Sequence, residues 1–587
     1  MKRIRMSHGA VVAGLGLALS AACMGACGND RGGGFGRREV NFEQDASADA
    51  PECKVQCSLD GRTVIDTCTG SVVETCRPEL ACGAGVCQSP CAAAAADRSS
   101  NGCEFYLQTP PFILSNIAPS CYAAYIVNPS TDPVEVSFER DGKEIDISKS
   151  MFRARPGEAT LIPHSGPIPP NESVVLFVSD GDPTRPALDT DVVPCPEGVV
   201  PATLVDKVLD GTGIASSFRL KTNLPVALST IFPFGGAKSY LPTATLVLPV
   251  ATWGKQHILV NGWDKTTRPS TQIIASEDDT ELTLFPSRDI QDGAGVVGGP
   301  ARTPLSYRLD KGQMLQIVQT DALTGSIVSS TKPTTVVGGN SCSNIPSNVA
   351  ACDILAQQLP AFEQWGSEYV GVGYRPRAGN EHEPVPYRVV AARDGTRLDY
   401  DPAVPPGAPT SMSAGEVVTF YSGTGEPFII RTQDVDHPIY LSAHMTGGDA
   451  YGGSGDPEFV NVVPAGQYLN AYSFYADPTY AETSLVIVRA KTRGEFKDVW
   501  LECAGNLTGF KPVGTRGEYE YVRVDLSRSG GPGDKFGDGV CQYGLQRMRS
   551  EGPFTATIWG WDTYASYAYP GGMAQRKLVE TPLPLIR

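Results

Sequence analysis

The chain has 587 residues, too many for one compact core, because single hydrophobic cores stop growing at about 250–300 residues. Its formal net charge of −16 argues against nucleic acid or an anionic membrane surface as a partner, since both require basic patches. The 63 glycines and 47 prolines, with few long helical patterns, favour a protein built from many strands and turns.

The chain begins with the pattern of an export signal. The basic stretch KRIR precedes residues 9–22, an apolar run too short to span a bilayer. Small residues precede Cys23 and Cys27, as in a bacterial lipoprotein cleavage box, where the cysteine becomes lipidated. We predict a lipoprotein-type signal over 1–27, and therefore lipid anchoring in the cell envelope, at the outer face or outer membrane. An ordinary secreted protein is the alternative.

Cysteine usage agrees with export, because two of the 16 cysteines lie in the signal region and an even number remains. Residues 28–52 lack apolar periodicity and are predicted to be a flexible tether. Eight cysteines crowd into residues 53–103, which predicts a small disulfide-rich module whose internal pairing stays open. The pairs predicted for the remaining cysteines are Cys121–Cys195, Cys342–Cys352 and Cys503–Cys541.

Residues 104–575 contain segments of alternating apolar and polar residues that recur in a fixed order, which indicates half-buried strands. The strands that open the cycles lie at 103–112, 246–260, 359–373 and 462–474. Hairpins with an Asp-Gly-type turn are predicted at 122–138, 271–285, 387–400 and 484–501. Hairpins with a proline before the final strand are predicted at 218–236, 326–339, 428–448 and 548–572.

Four such cycles predict an all-β, repeat-built fold in which neighbouring units bury each other's faces. We favour a β-propeller of seven or eight small blades, two per cycle, because no linker separates the cycles and a ring leaves only short edges. Four tandem β-sandwiches are the alternative. Residues 576–587 are predicted to form a C-terminal tail.

No catalytic residues are predicted, because the sequence lacks a G-x-S-x-G elbow, an H-E-x-x-H helix, a P-loop and a G-x-G-x-x-G motif that follows a strand. One acidic loop contains hard oxygen ligands of the kind that Ca²⁺ prefers, although the spacing is not that of an EF-hand. A plain acidic loop is the alternative interpretation, and no other cofactor is predicted. The candidate calcium ligands are Asp180, Asp182, Asp189 and Asp191.

Aromatic residues crowd the last predicted hairpin and include Trp559, Trp561, Tyr564 and Tyr567. If these rings are exposed together, they form a surface on which sugar rings or a peptide stack. The alternative is that the final segment packs the closure of the repeat domain.

The recurring hairpins resemble the IgGFc-binding-type extracellular domain. The same resemblance is carried by SIVSSTKPTTVVGGNSCSNIPSNVAACDILAQQLPAFEQWGSEYV and by the closing DTYASYAYPGG. The cysteine-rich lead ending in SSNGCEFY resembles the front half of bacterial lipoproteins that carry this domain. The resemblance implies a cell-surface binding or adhesion module without a defined catalytic motif. Fc binding belongs to animal mucosal members and is not transferred to this chain.

We therefore expect a surface protein that binds a protein or glycan partner and is not an enzyme. A structural component of the envelope or matrix is the first alternative. A glycan-cleaving enzyme on a propeller is the second, and it requires paired carboxylates around a central pocket.

Overall fold

The computed structural model describes residues 55–58, 61–111, 120–155, 157–182, 184, 193–205, 209–239, 241–264 and 267–584. Strands dominate this part of the chain, which also contains an α-helix, α1, at Pro90–Asp97. No helix in these ranges is long and apolar enough to cross a membrane. The predicted signal, both candidate lipidation cysteines and the predicted tether lie outside the described residues.

The disulfide-rich module is confirmed, and it has only a small core. The bonds Cys57–Cys82, Cys76–Cys87 and Cys91–Cys103 cross-link it. Its buried apolar cluster comprises Val64 and two of these cysteines, so disulfides supply stability that so small a core cannot. Its strands are β1 (Val55–Cys57), β2 (Thr63–Asp66), β3 (Val72–Thr75), β4 (Ala81–Gly83) and β5 (Val86–Gln88).

Four units with a common plan follow the module. Unit one contains β6 (Gly102–Leu107), β7 (Tyr122–Val127), β8 (Val136–Arg140), β9 (Lys143–Glu144), β10 (Met151–Ala154), β11 (Leu161–His164), β12 (Ser173–Gly181), β13 (Thr203–Val205), β14 (Gly213–Ser216), β15 (Phe218–Phe232) and β16 (Thr243–Leu246). Unit two contains β17 (Gly254–Ile258), β18 (Pro269–Ala275), β19 (Thr280–Phe285), β20 (Leu305–Leu309), β21 (Gln313–Val318), β22 (Ile327–Ser343) and β23 (Asp353–Leu359).

Units three and four repeat the plan with small variations. Unit three contains β24 (Glu368–Gly371), β25 (Pro384–Ala391), β26 (Thr396–Asp401), β27 (Ser411–Met412), β28 (Val417–Gly423), β29 (Phe428–Thr432), β30 (Ile439–Met445) and β31 (Glu458–Asn461). Unit four contains β32 (Leu469–Ala476), β33 (Glu482–Ala490), β34 (Val499–Leu501), β35 (Gly505–Asn506), β36 (Lys511–Val513), β37 (Tyr519–Arg528), β38 (Gly531–Pro532), β39 (Lys535–Phe536), β40 (Gly539–Val540), β41 (Gly544–Asp562) and β42 (Ala565–Pro570).

In three of the units one long strand serves two sheets. In unit one, residues 218–222 of β15 lie between β6 and β8, and residues 227–231 lie between β7 and β16. The strands β22 and β41 repeat this arrangement in units two and four. In unit three the long strand is interrupted, so β29 serves one sheet and β30 serves the other.

The hairpins predicted at the Asp-Gly-type turns are wrong, because each turn joins strands that do not pair with each other. β25 pairs with β28 and β30, whereas β26, after the turn at Asp394-Gly395, pairs with β27 and β29. Gly395 has a φ of 71°, which glycine adopts without strain. The turn therefore carries the chain from one sheet of the unit to the other.

The prolines predicted to precede the final strand lie where the long strand changes partners. Pro225 lies inside β15 and Pro333 inside β22, so these two predicted hairpins are single strands. No partner in the ladder is assigned to either proline, so the missing N–H removes no sheet hydrogen bond. The last predicted hairpin, 548–572, is formed by β41 and β42.

The two sheets of a unit face each other across a shared core. In unit one, Phe105 and Phe138 of one sheet pack with Ile126, Leu176 and Leu228 of the other. The core of unit two also includes Val390 and Tyr440 of unit three, and a continuous core joins buried side chains of units one, three and four. Each unit is therefore a β-sandwich.

The last strands of the four units face the centre of a closed ring. β16, β23, β31 and β42 contact one another in this order, and β42 contacts β16 again. Gln357 of β23 donates to the carbonyl oxygens of Ala244 in β16 (2.7 Å) and Ala568 in β42 (3.1 Å). The two ends of the domain meet where the Ser100 N–H donates to the Met573 oxygen at 2.8 Å.

Short 3-10 turns connect the last strand of a unit to the first strand of the next. These turns lie at Val250–Thr252, Phe362–Gln364 and Ala465–Gln467, with further turns at Gly236–Ser239 and Gly448–Tyr451. The described part of the predicted tail, residues 576–584, lies against unit two, where Val579 and Leu583 are buried.

The structure confirms an all-β, repeat-built fold behind a disulfide-rich module. The units are β-sandwiches, as in the alternative prediction, and the seven or eight small blades of the favoured propeller are not formed. The sandwiches nevertheless close into a ring, a feature that the favoured propeller would share.

Candidate functional site

A cleft of about 680 Å³ lies where unit one meets unit four, the first and last members of the ring. It is built from segments more than three hundred residues apart in the sequence. Its lining includes Arg153, Arg155, Ile162 and Glu172 from unit one and Glu502, Val540, Leu545 and Arg547 from unit four.

The unit-one wall of the cleft is the hairpin of β10 and β11, in which Arg153 lies opposite Ile162. Gly157 lies in the turn between the two strands with a φ of 74°. A Cβ at this position would collide with the side chain of Gln542, so glycine permits the two units to approach. The Tyr543 hydroxyl then donates to the Gly157 oxygen at 3.0 Å and joins the walls.

The unit-four wall is fixed by a disulfide and a hydrogen bond. The bond Cys503–Cys541 holds the segment after β34 against the segment before β41. The Glu502 N–H donates to the Arg547 oxygen at 3.1 Å, which places both side chains at the rim of the cleft. The wall therefore combines rigid backbone with long, charged side chains.

Three guanidinium groups and two carboxylates surround the cleft. Arg153 donates to Glu172 at 2.5 Å, and Arg547 Nε donates to Glu502 at 2.9 Å. The hydrogen bond with Glu502 raises the pKa of Arg547, which keeps this guanidinium charged. Arg155 lies 3.9 Å from Glu158, and its side chain is 70% exposed. The lining therefore has a net positive charge within a chain whose net charge is −16.

Apolar side chains complete the cleft and suit it to binding. Ile162 and Leu545 are half-buried in its lining, and Val540 is 37% exposed. Guanidinium groups present a planar fork of donors that matches a carboxylate, and an apolar floor adds contact area. The arrangement can hold a partner that combines an acidic group with apolar surface.

The predicted aromatic surface is wrong for three of its four residues. Trp559, Trp561 and Tyr567 are at most 2% exposed, so no partner can stack on them. They pack inside the protein, with Trp559 4.8 Å from Tyr374 between ring centroids. Every residue of β42 is buried and the strand contacts β16 and β31, so this final segment packs the closure of the ring, as in the alternative interpretation. Tyr564 is 37% exposed and stays a candidate contact residue.

The predicted calcium loop is only partly described. The Asp180 carboxylate accepts the N–H groups of Gly181 and Cys195, both at 2.8 Å, and burial raises its pKa. Asp182 accepts the N–H of Thr184 at 2.9 Å, whereas Asp189 and Asp191 lie outside the described residues. Within the described ranges no cluster of three metal-ligating side chains is found. Calcium at this loop stays a prediction.

The three disulfides predicted outside the lead module are formed, as Cys121–Cys195, Cys342–Cys352 and Cys503–Cys541. The cleft itself was not predicted from the sequence. Its arginines follow no motif, and only the closure of the ring brings residues 153 and 547 together.

A protein-family model described as IgGFc binding protein matches residues 243–560, which is more than half of the chain. The matched range begins at β16 and ends inside β41, so it covers units two and three and most of unit four. No curated protein matches the sequence significantly.

Proposed function

Because the chain belongs to the IgGFc binding protein family, we propose that it is an extracellular binding protein whose partner, a protein or glycan, occupies the cleft between units one and four. The observation that supports this proposal is the cleft lining, where three arginines surround apolar side chains in an otherwise acidic chain. Disulfides in both the lead module and the repeat units suit an oxidising, extracellular environment.

The chemistry of the lining favours a partner with carboxylate groups, either an acidic peptide segment or an acidic glycan. Charge-assisted hydrogen bonds from guanidinium groups are stronger than neutral ones and select planar acidic groups. Glu172 and Glu502 hold two of the arginines in place, and a bound carboxylate would share those guanidinium groups with them.

We further propose that a lipid anchor at Cys23 or Cys27 holds the protein at the cell surface. Labelling with radioactive palmitate in the producing cells tests the anchor. Incorporation is expected in the unmodified chain. It is expected to disappear in one of the two single variants, Cys23→Ala or Cys27→Ala, and to persist in the other. Equal labelling of the unmodified chain and of both single variants would contradict the proposal.

Reversing the charge of the cleft is expected to weaken partner binding at least about tenfold, which corresponds to about 1.4 kcal/mol. The variant combines Arg153→Glu with Arg547→Glu and is compared with the unmodified mature chain on glycan and protein arrays. Both side chains are more than a third exposed, so the melting temperature should change little.

The matched control is Arg308→Glu, at an exposed arginine of unit two that likewise pairs with a carboxylate, that of Asp279. The control should bind array partners as the unmodified chain does. The proposed function would be contradicted if the unmodified chain bound nothing on either array, or if the cleft variant bound the array partners as strongly as the unmodified chain does.

A further inference from the structure

The strands β12, β21, β28 and β37 occupy equivalent positions in the four units, because each pairs along one edge with the strand before the Asp-Gly-type turn. In three of the four units a further strand covers the other, outer edge. In unit one β10 pairs with β12, in unit two β14 pairs with β21, and in unit four β36 pairs with β37. In unit three the corresponding strand, β28, ends its sheet, whose order is β28-β25-β30-β31. No strand of the described chain pairs with the outer edge of β28.

The covering strand of unit two comes from outside that unit. β14 precedes β15 in unit one, yet Gly213 to Ser216 pair antiparallel with Gln316 to Gln313 of β21. Four small or apolar residues, GIAS, are enough to form this ladder. This edge of the fold therefore accepts a short extended segment that is not part of the same sandwich.

The backbone groups at the β28 edge are arranged to accept such a segment. The Ala391 N–H donates to the Glu416 oxygen at 3.2 Å, and hydrogen-bonded pairs alternate along an antiparallel ladder. Val417, Thr419 and Tyr421 therefore direct their N–H and C=O groups away from β25. Pro386 lies opposite Tyr421, and its missing N–H is consistent with a pair that exchanges no hydrogen bonds.

The strand also lacks the features that usually protect an exposed edge. Its sequence, VVTFYSG, contains neither a charged residue nor a proline and is rich in residues that favour strands. Tyr421 is exposed, and Thr419 is half-buried. Carboxylates flank the edge, with Glu416 just before β28 and Glu426 just after it. Their charge favours a basic occupant over an acidic one.

We propose that the outer edge of β28 binds an extended, basic segment of a protein partner, which adds to the sheet as a further strand. Main-chain hydrogen bonds supply affinity in this mode of recognition, and alternate side chains supply specificity. The site is separate from the cleft between units one and four, so the two can be tested independently.

The test begins with selection of linear peptides from a phage-displayed random library on the mature chain. Selected peptides should be basic, and one of them is then synthesised with N-methyl groups on alternate residues. Methylation of one alternating set should weaken binding at least about tenfold, whereas methylation of the other set should have little effect. The peptides should bind the Arg153→Glu, Arg547→Glu variant normally.

Two protein variants locate the binding edge. Thr419→Pro removes an outward N–H and should reduce peptide binding, whereas Thr419→Val keeps the N–H and should not. The methylated peptides decide the question on the unmodified chain even if Thr419→Pro fails to fold.

Any of three results with the peptides would overturn the proposal: the absence of basic peptides from the selection, equal effects of the two methylated sets, or unchanged binding to a folded Thr419→Pro variant. A dimer of the unmodified chain that dissociates in Thr419→Pro would identify a second copy of the chain as the occupant, and would also overturn it.

Discussion

Replacing Arg377 with alanine is expected to lower the free energy of unfolding by about 3–5 kcal/mol. The side chains of Arg377 and Glu383 are fully buried, and Arg377 Nε donates to Glu383 at 2.8 Å. The same guanidinium donates to the carbonyl oxygens of Thr446 (2.9 Å) and Ser454 (2.7 Å). Without it, the Glu383 carboxylate would lie buried without its counter-charge, and two carbonyl groups would lose their donor.

Urea unfolding of Arg377→Ala measures this loss, and Arg308→Ala is the matched control. Arg308 and its partner Asp279 are more than 60% exposed, so their pair should contribute at most about 1 kcal/mol. Combining Arg377→Met with Glu383→Gln should restore part of the stability, because no buried charge is then left alone. Similar losses in Arg377→Ala and Arg308→Ala would contradict the importance of burial.

The second large effect concerns buried carboxylates at the centre of the ring, where stability is expected to fall as the pH rises. Burial raises the pKa of Asp456 to about 7. Burial also raises the pKa values of Asp353 and Glu458, and for Asp353 the charges of Asp456 and Glu458 add to the effect. These groups lie on or beside the inner strands β23 and β31.

The direction of the pH effect follows from the two states of Asp456. Below pH 3.8, the ordinary value, the carboxyl is protonated in both the folded and the unfolded chain. Between pH 3.8 and about 7 the unfolded chain releases the proton first, so the folded state loses relative stability. The total loss from this group is at most about 4 kcal/mol, given about 1.4 kcal/mol for each pH unit.

The variant Asp456→Asn tests this prediction, because the amide oxygen can still accept the Gly448 N–H that bonds Asp456 at 3.1 Å. The variant should be more stable than the unmodified chain at pH 8 and similar to it near pH 4. Urea unfolding at both pH values measures the difference. A variant that is less stable at pH 8 would contradict the prediction.

The sequence predicts the repeat because alternation and turn residues are local signals. The strand content, the four cycles and the position of Gly395 in a tight turn all follow from them. Strand pairing is not a local property. Alternation shows that one face of a strand is buried, but it does not show which strand lies beside it. The runs on either side of Asp394-Gly395 therefore predict a hairpin, although in the structure they belong to different sheets.

The same limit explains which site residues were found. Cysteines in an exported chain predict disulfides, and Cys121–Cys195 and the two other pairs were correct. A crowded run of tryptophan and tyrosine suits a core as well as a surface, and Trp559 lies in the core. Arg153 and Arg547 belong to no sequence motif. Only the closure of the ring brings the two residues together, so the sequence does not predict the cleft.

Site-specific photo-crosslinking of an array-selected partner tests the central claim most directly. A photoreactive amino acid replaces Val540, which is 37% exposed in the cleft, or Val297, which is 78% exposed in unit two. The proposed function predicts a crosslink from position 540 and none from position 297. A crosslink from position 297 without one from position 540 would contradict it.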